Sequence, residues 1–295
     1  MSSASTLESS VRDRLGRIGI WSGELRFGDA AEGQKAMAEL DELGFGAIWI
    51  PGGFGGDILD AVDRGLAATR KAVIATGIIN IWKHEPAEIG SWWRGLSDDH
   101  KSRVMLGLGV SHGPMIGADY QKPLAKMASF IDGLDREGIP WDHMCIAALA
   151  PKMLQLAGER TAGTHPYLVT PAHSAISREA VGPDRMVAPE QHVILETDPV
   201  RARAIGREAL KPYMQFPNYV NSWRRLGFDE DDVTGSDRLI DEIIAWGGIK
   251  VIIDRVKQHH AAGADHVCLQ VVTGEPGMGG PPPTSAWRTL AEALL

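Results

Sequence analysis

Cysteine is nearly absent from this sequence: its 295 residues include only two, Cys145 and Cys268. Two cysteines cannot supply the disulfide framework of a small secreted domain, and both lie within apolar, strand-like runs. We therefore expect buried free thiols. Apolar runs of the roughly 18 residues that a membrane span requires are also missing, and the Ser-rich start lacks the apolar core of a secretory signal. These absences predict a cytoplasmic protein that binds no membrane.

Clusters of basic residues are the second absence. The chain has 30 Lys and Arg against 38 Asp and Glu, so its formal net charge is −8. An acidic protein without a Lys/Arg cluster is a poor partner for nucleic acid, whose phosphates attract basic surfaces. The composition is 44% hydrophobic and 23% charged, as in ordinary globular proteins. We therefore expect a small-molecule substrate and no nucleic-acid partner.

Apolar strand patterns and helical patterns alternate along most of the chain. Eight parallel-type strands are predicted, over residues 17–21, 47–50, 72–82, 103–109, 144–149, 167–170, either 186–188 or 193–195, and 266–272. Eight strands that are each followed by helix predict an α/β protein with a (β/α)8 TIM barrel, and an open doubly wound sheet is the competing architecture. No composition shift marks a boundary, so we expect one domain over residues 16–295 after a flexible tail over residues 1–15. Residues 216–235 are predicted to be polar and irregular.

Carboxylates are scarce where a barrel would hold its chemistry, at the C-terminal strand ends. A glycosidase needs two carboxylates on either side of the scissile bond, and a metal hydrolase needs clustered His, Asp and Glu. Neither arrangement is present, nor is a Gly-x-Ser-x-Gly nucleophile motif, so we expect no metal site. The loops hold glycine, tryptophan and two histidines instead. A mouth of this kind suits a flat aromatic cofactor that carries phosphate.

A glycine-rich stretch, residues 103–114, is the centre of the sequence. It begins as a continuous apolar strand and contains Gly107 and Gly109, which would let a backbone or a flat ligand approach closely. A dinucleotide-binding fingerprint would need a third glycine and a helix immediately afterwards. Position 112 is histidine and no helical pattern starts there. We therefore interpret this stretch as the fourth barrel strand and its loop.

A candidate anion site follows the sixth predicted strand, at residues 170–174. Thr170 can act as a helix N-cap with Pro171 as the first helical residue, which would leave the amides of Ala172, His173 and Ser174 free. Free amides at a helix N-terminus bind phosphate, and barrels often use their later loops for this purpose. The alternative is an ordinary capped helix that binds no ligand.

Three segments, residues 76–82, 106–112 and 262–270, resemble the bacterial luciferase-like superfamily. Within it they are similar to the actinobacterial oxidoreductases that depend on the deazaflavin coenzyme F420. The resemblance covers nearly the whole chain from Gly16 to Leu295, and it implies a TIM barrel with the cofactor at its C-terminal mouth. Several of these enzymes have a functional histidine at the end of the second strand, whereas this chain has Trp49-Ile50-Pro51-Gly52 there.

The resemblance also implies the positions of the cofactor site. A bulge with a non-prolyl cis peptide would fall at Gly77-Ile78 and support the central ring, although Gly77 could instead serve barrel curvature alone. The cofactor's phosphate or polar tail would occupy the site at residues 170–174. The residues that we predict to bind cofactor are Gly77, Ile78, Asn80, Gly109, Val110, Ser111, Thr170, Ala172, His173 and Ser174.

The predicted activity is hydride transfer between coenzyme F420 and a small organic substrate. His112 occupies the place of a proton-transferring carboxylate in the sugar-phosphate branch, so we predict it to be the catalytic proton donor or acceptor; the alternative is a loop histidine bonded to backbone. Trp21 and Trp82, at strand ends, are predicted pocket walls, whereas Trp49 is assigned to the core. An FMN-dependent monooxygenase and a non-catalytic cofactor-binding barrel are the other two readings. The apolar helix faces leave room for a homodimer.

Overall fold

Every strand pair in the described chain is parallel, as expected of strands that are apolar on both faces. The structure, a computed structural model, describes residues 10–53, 56–275 and 277–295, so residues 1–9 of the predicted tail lie outside the described residues. The strands are β1 (Ile18–Trp21), β2 (Ala47–Ile50), β3 (Val73–Thr76), β4 (Ile79–Asn80), β5 (Val104–Gly109), β6 (Met144–Ile146), β7 (Gly163–Thr164), β8 (Met186–Val187), β9 (Glu190–Ile194), β10 (Ala245–Trp246) and β11 (Val267–Val271).

The sheet curls into a barrel that one chain segment closes. The pairing order is β10-β9-β11-β1-β2-β3-β5-β6-β7-β8, with β4 paired to β5. β8 and β9 are two parts of one segment interrupted at Pro189: β8 pairs with β7, and β9 pairs with β11. β10 pairs with β9 alone and lies outside the ring. With β3–β4 and β8–β9 each taken as one position, the other described strands form a ring of eight positions. The predicted barrel is confirmed, and both candidates for its seventh strand are part of the ring.

Helices follow the strands and cover the outside of the barrel. They are α1 (Val11–Arg14), α2 (Glu24–Phe27), α3 (Ala30–Leu43), α4 (Ile58–Ala68), α5 (Pro86–Gly95), α6 (Asp98–Lys101), α7 (Gly113–Ile116), α8 (Pro123–Arg136), α9 (Pro151–Arg160), α10 (Pro171–Val181), α11 (Pro199–Leu210), α12 (Pro217–Arg225), α13 (Asp237–Ile243), α14 (Ile249–Ala261) and α15 (Thr284–Leu294). Six of them begin with proline, whose fixed φ suits the first helical turn. None of the helices in the described part of the chain is long and apolar enough to cross a membrane.

Two apolar layers hold the barrel together. Ile48, Ile74 and Leu106 belong to the larger layer, in which strand side chains pack against helices such as α4 and α8. The interior layer contains Trp49 and both cysteines, all of them fully buried. The two thiols are free, as the sequence predicts, and burial raises the pKa of each.

Several element boundaries differ from those predicted. Residues 72–82 form two strands because the chain turns at Gly77. The sixth strand is β7 at 163–164 rather than 167–170, because Leu168 adopts a φ of 55° and its amide donates to Glu190. Part of the predicted tail is helical: α1 is capped by Ser10, and Val11 is 3% exposed.

Candidate active site

A cavity of about 730 Å³ opens at the C-terminal ends of the barrel strands. Strand ends supply its lower wall: Trp21 ends β1, Gly77 and Ile78 follow β3, Gly109 ends β5, and residues 110–112 follow it. The volume lies within the roughly 300–1,000 Å³ of small-molecule sites. The cavity therefore has the position and the size of a TIM-barrel active site.

The floor of the cavity is the turn between β3 and β4. The peptide bond between Gly77 and Ile78 is cis, as the resemblance implies. Gly77 lies against the indole of Trp21, since a Cβ at position 77 would stand well under 3.0 Å from the indole nitrogen. Ile78 lies against Gly109 at similarly close range and is half-buried. The two glycines thus allow an aliphatic side chain to form the surface of the floor.

His112 lies on the cavity wall with its ring held on two sides. Its ring stacks on Phe216 with 4.1 Å between centroids and 7° between planes. Its Nδ1 is 3.0 Å from the side-chain oxygen of Asn218. An amide oxygen only accepts hydrogen bonds, so Nδ1 carries the proton and Nε2 keeps a lone pair. Burial lowers the pKa of His112, with the Asn218 hydrogen bond opposing the shift, so the ring is neutral at pH 7.

Val110 and Ser111 line the cavity beside His112, whereas Trp82 and Asn80 support the loops from behind. The Trp82 indole nitrogen donates to the Val110 carbonyl oxygen at 2.8 Å. Asn80 is 1% exposed; its amide nitrogen donates to the Gly53 carbonyl oxygen at 2.7 Å, and its oxygen accepts from the Trp82 amide. Neither side chain is among the described lining residues. Trp82 and Asn80 thus brace the loops beside the cavity, and the roles predicted for them, pocket wall and cofactor contact, stay predictions.

The predicted phosphate site at Thr170, Ala172, His173 and Ser174 does not reach the cavity. The backbone amides of His173 and Ser174 donate to the Thr170 carbonyl, so the prediction of free amides is wrong for these two. Their side chains are also buried in the protein: Nε2 of His173 contacts the Leu149 carbonyl oxygen at 3.3 Å, and Oγ of Ser174 is 2.8 Å from Nδ1 of His259. Such bonds are typical of an ordinary buried helix start. The predicted cap is also wrong, because the Thr170 side chain makes no capping hydrogen bond.

The upper wall comes from residues 212–225, which sequence reasoning missed. This part contains α12, although residues 216–235 were predicted to be irregular. Pro217 begins the helix, and Tyr219 and Trp223 bury one of its faces. A proline followed by two aromatic residues at i and i+4 is the signal that could have identified it. Arg225, at its C-terminal end, is the only lysine or arginine among the described lining residues.

Three tyrosines, also missed, form one side of the cavity. Tyr167, Tyr213 and Tyr219 all line it, and their rings contact one another with centroids 5.1–6.3 Å apart. Tyr167 also packs against Trp21 at 5.4 Å, and Tyr219 against His112 at 5.3 Å. An aromatic wall therefore joins the floor to the catalytic candidate. Tyr167 follows β7, a two-residue strand that leaves no pattern in the sequence, so no sequence signal placed this tyrosine at the cavity.

Metal ligands do not gather anywhere in the described part of the chain. No group of three or more His, Cys, Asp or Glu side chains there could hold a metal ion. The polar groups that face the cavity are hydroxyls, amides, imidazoles and one guanidinium. Such groups can bind an organic ligand, orient it and move a proton.

Comparison with known proteins shows a likeness in fold. No protein-family model matches the chain, and no curated protein matches its sequence. Solved structures do match. An F420-dependent secondary alcohol dehydrogenase in complex with an F420–acetone adduct has a TM-score of 0.71 and 16% identity, over 95% of this chain and 98% of that one.

Two further structures have the same architecture. The coenzyme F420-dependent tetrahydromethanopterin reductase from Methanopyrus kandleri has a TM-score of 0.68 and 16% identity, over 94% of this chain and 98% of its own. The oxygenating constituent of 3,6-diketocamphane monooxygenase from Pseudomonas putida, in complex with FMN, has a TM-score of 0.63 and 14% identity, over 95% and 97%. These likenesses confirm the luciferase-like TIM-barrel fold that the resemblance implies.

Proposed function

We propose that the chain is an oxidoreductase that transfers a hydride between the deazaflavin coenzyme F420 and a small organic substrate. The observation that carries the proposal is the floor of the cavity, where Ile78 is half-buried against Gly109 and the preceding Gly77 lies against Trp21. An aliphatic floor beneath a wide, mainly apolar cavity suits the face of a flat tricyclic ring. The fold likeness supports the same assignment, since two of the three compared structures are F420-dependent enzymes by name.

The described residues fit both parts of such a coenzyme. Ile78 would support the ring, and Val110 and Ser111 would lie beside it. Arg225 is exposed and would bind the phosphate, while one of its nitrogens donates to the Leu149 carbonyl oxygen at 3.2 Å and so orients the guanidinium. A guanidinium matches the geometry of phosphate oxygens. Arg225 thus takes the role that the sequence assigned to residues 170–174.

The chemistry divides between the coenzyme and the protein. When bound, F420 supplies the ring carbon that gives or accepts the hydride. His112, neutral and with a free Nε2 lone pair, accepts the proton of a substrate hydroxyl during oxidation and returns it during reduction. Asn218 holds the tautomer that leaves Nε2 available. The aromatic wall excludes water from the reacting groups.

A binding titration tests the cofactor assignment. We expect F420 absorbance to change on binding, and F420-dependent turnover of an alcohol or its carbonyl product to be insensitive to oxygen. Tight FMN binding with oxygen-consuming turnover would instead establish the flavin monooxygenase and overturn the proposal. Binding of neither coenzyme would overturn it as well.

We expect His112→Ala to lower kcat by about 100-fold or more, the usual contribution of a general base. The substrate for this measurement is the alcohol that the wild-type protein oxidises fastest. Met115→Ala, which shortens a more exposed cavity side chain, is the control and should change kcat little. In the wild-type protein the oxidation rate should fall as the pH drops below the lowered pKa of His112, that is below 6.5, because only the neutral ring accepts a proton. Unchanged turnover in His112→Ala would show that the assignment is wrong.

We expect Arg225→Gln to raise the dissociation constants of F420 and FMN about tenfold, because a charge-assisted hydrogen bond to phosphate is lost. Arg224→Gln is a matched control, since Arg224 precedes it on α12 but pairs with Glu230 at 2.5 Å. Riboflavin, which has no phosphate, should bind the wild-type protein and Arg225→Gln equally. Calorimetry with the three ligands measures these constants, and an equal loss of riboflavin affinity would contradict a phosphate contact.

A further inference from the structure

A chain of three hydrogen-bonding side chains lies along the aromatic wall. The Tyr167 hydroxyl donates to the side-chain oxygen of Gln270 at 2.8 Å. The hydroxyls of Tyr167 and Tyr213 are 3.1 Å apart. A phenol has one proton, and Tyr167 gives its proton to Gln270. Tyr213 must therefore donate to Tyr167, and the chain has one direction, from Tyr213 through Tyr167 to Gln270.

This direction determines what Tyr213 can offer a ligand. The hydroxyl proton of Tyr213 is already donated to Tyr167. Toward the cavity, the Tyr213 oxygen can therefore accept a hydrogen bond but cannot donate one. Burial raises the pKa of Tyr213 to about 12, and that of Tyr167 well above its ordinary value, so both hydroxyls keep their protons at neutral pH. Both tyrosines are only half-buried, and they line the cavity. A ligand can therefore reach this end of the wall.

The acceptor at Tyr213 is distinct from the lone pair of His112. Tyr219 lies between them, with its ring 5.3 Å from the His112 ring and 5.1 Å from the Tyr213 ring. One hydroxyl proton cannot serve both acceptors. A substrate whose reacting hydroxyl faces His112 would need another hydrogen-bond donor for Tyr213.

We propose that Tyr213 forms a substrate subsite that accepts a hydrogen bond from a second hydroxyl group, so that the substrate class is a compact molecule with two hydroxyls. The assignment of this hydroxyl to a substrate rests on the proposed function, whereas the direction of the hydrogen-bond chain does not. The subsite disfavours a carbonyl group at the same place, because two acceptor oxygens would face each other without a proton.

The test uses cyclohexanol and cyclohexanone, which have nearly the same size but differ in their ability to donate. Their dissociation constants are measured by ligand-detected NMR on the full chain without coenzyme, in the His112→Ala background, because the Nε2 lone pair of His112 would by itself favour the alcohol. We expect cyclohexanol to bind His112→Ala about fivefold more tightly than cyclohexanone, the value of one neutral hydrogen bond. Adding Tyr213→Phe should abolish this preference, and adding Tyr120→Phe, which removes a cavity hydroxyl outside the hydrogen-bond chain, should keep it. A preference retained after Tyr213→Phe would overturn the proposal, as would equal binding of the two ligands by His112→Ala alone.

Gln270 variants test the direction itself. Gln270→Glu keeps an acceptor for Tyr167, so the preference for cyclohexanol should persist. Gln270→Met removes that acceptor, which frees Tyr167 to donate to Tyr213 and Tyr213 to donate into the cavity. Cyclohexanone should then bind more tightly than it does to the wild-type protein. No gain for cyclohexanone in a folded Gln270→Met variant would contradict the assigned direction.

A last measurement separates a substrate hydroxyl from the hydroxyls of a coenzyme side chain. With F420 or FMN bound at saturation, persistence of the cyclohexanol preference supports a substrate subsite. Loss of the preference would assign Tyr213 to the coenzyme and overturn the substrate class. Because the first experiments contain no coenzyme, failure of F420 to bind would defeat the proposed function without changing their outcome.

Discussion

Acidification from pH 7 to pH 5 is expected to remove most of the stability of this fold. Four histidines are almost fully buried, and burial lowers their pKa values to about 3 for His165 and His259 and about 4 for His173 and His266. In the unfolded chain each would titrate near the ordinary value of 6.5. At pH 5 each should cost roughly 2 kcal/mol, so the four together approach the ~5–15 kcal/mol that stabilises a typical domain.

Desolvation is the main reason that the neutral rings are preferred. His266 accepts a hydrogen bond at Nε2 from the Trp49 indole, and its Nδ1 lies 2.9 Å from the Gly16 carbonyl oxygen. His173 faces the Ser177 hydroxyl through Nδ1 and the Leu149 carbonyl through Nε2. A second ring proton would meet the indole donor at His266, which opposes protonation there. The backbone carbonyls beside both rings have the opposite effect and raise the pKa, but by less than desolvation lowers it.

The sign of the effect follows from the lowered pKa values. Well above pH 6.5 neither state binds a proton at these sites, and the full stability is present. As the pH falls from 6.5 toward 4, the unfolded chain takes up protons that the folded chain refuses, so stability is lost. The slope for each histidine should be about 1.4 kcal/mol per pH unit over that interval.

Urea unfolding at pH 7, 6 and 5 measures this slope. His173→Gln and His266→Gln should each reduce the slope by about 1.4 kcal/mol per pH unit. This change in slope is expected however much each substitution lowers the free energy of unfolding through lost packing. His100→Gln, at the end of a short surface helix, is the control and should keep the wild-type slope. A free energy of unfolding that does not change between pH 7 and pH 5 would contradict the prediction.

Gly107→Ala is expected to destabilise the barrel by about 3 kcal/mol or more, which corresponds to a melting temperature lower by roughly 10 °C. A Cβ at Gly107, in the middle of β5, would stand well under 3.0 Å from the Thr76 carbonyl oxygen. That oxygen belongs to the backbone of the neighbouring strand and cannot rotate away. The strands would have to separate at the point where the floor turn begins.

Two other glycines of the same region provide a graded control. A Cβ at Gly109 would meet only the Ile78 side chain, and a Cβ at Gly53 would meet nothing within 4 Å. We therefore expect Gly107→Ala to have the largest effect, Gly109→Ala a smaller one that also changes the cavity, and Gly53→Ala the smallest. Differential scanning calorimetry of the three variants tests the order. Equal melting temperatures would exclude this close approach of β5 to β3.

The barrel could be predicted from the sequence because most of its strands are continuous runs of apolar residues. β2 and β5 can be identified from their own residues, without knowing which strands they pair with. The cis peptide at Gly77 was predicted only from the family resemblance. β7 could not be identified, since two residues, Gly163 and Thr164, leave no pattern. The apolar residues after it were more conspicuous, but Leu168 leaves the sheet to pack beneath α12.

The candidate site was only partly predictable, for a similar reason. Trp21 ends a strand, and Ser111 and His112 follow one, so the barrel rule selected all three. The upper wall comes from α12, whose polar residues, such as Asn218 and Asn221, made the segment resemble a surface loop. Asn218 and Asn221 line the cavity, so the polar residues that hid the helix from prediction are part of the candidate site. A phosphate site was expected at a helix N-terminus, whereas an exposed arginine at a helix C-terminus is the better candidate.

The pairing of β1 with β11 also has a consequence for synthesis. Ile18 is opposite Val267 and Ile20 is opposite Leu269, so the first and last strands of the described ring are neighbours. The growing chain therefore carries an unpaired β1 edge until β11 has left the ribosome. An exposed edge is a template for pairing with other chains. A product that ends before residue 267 would retain that edge permanently, so aggregation is the expected fate of premature termination products.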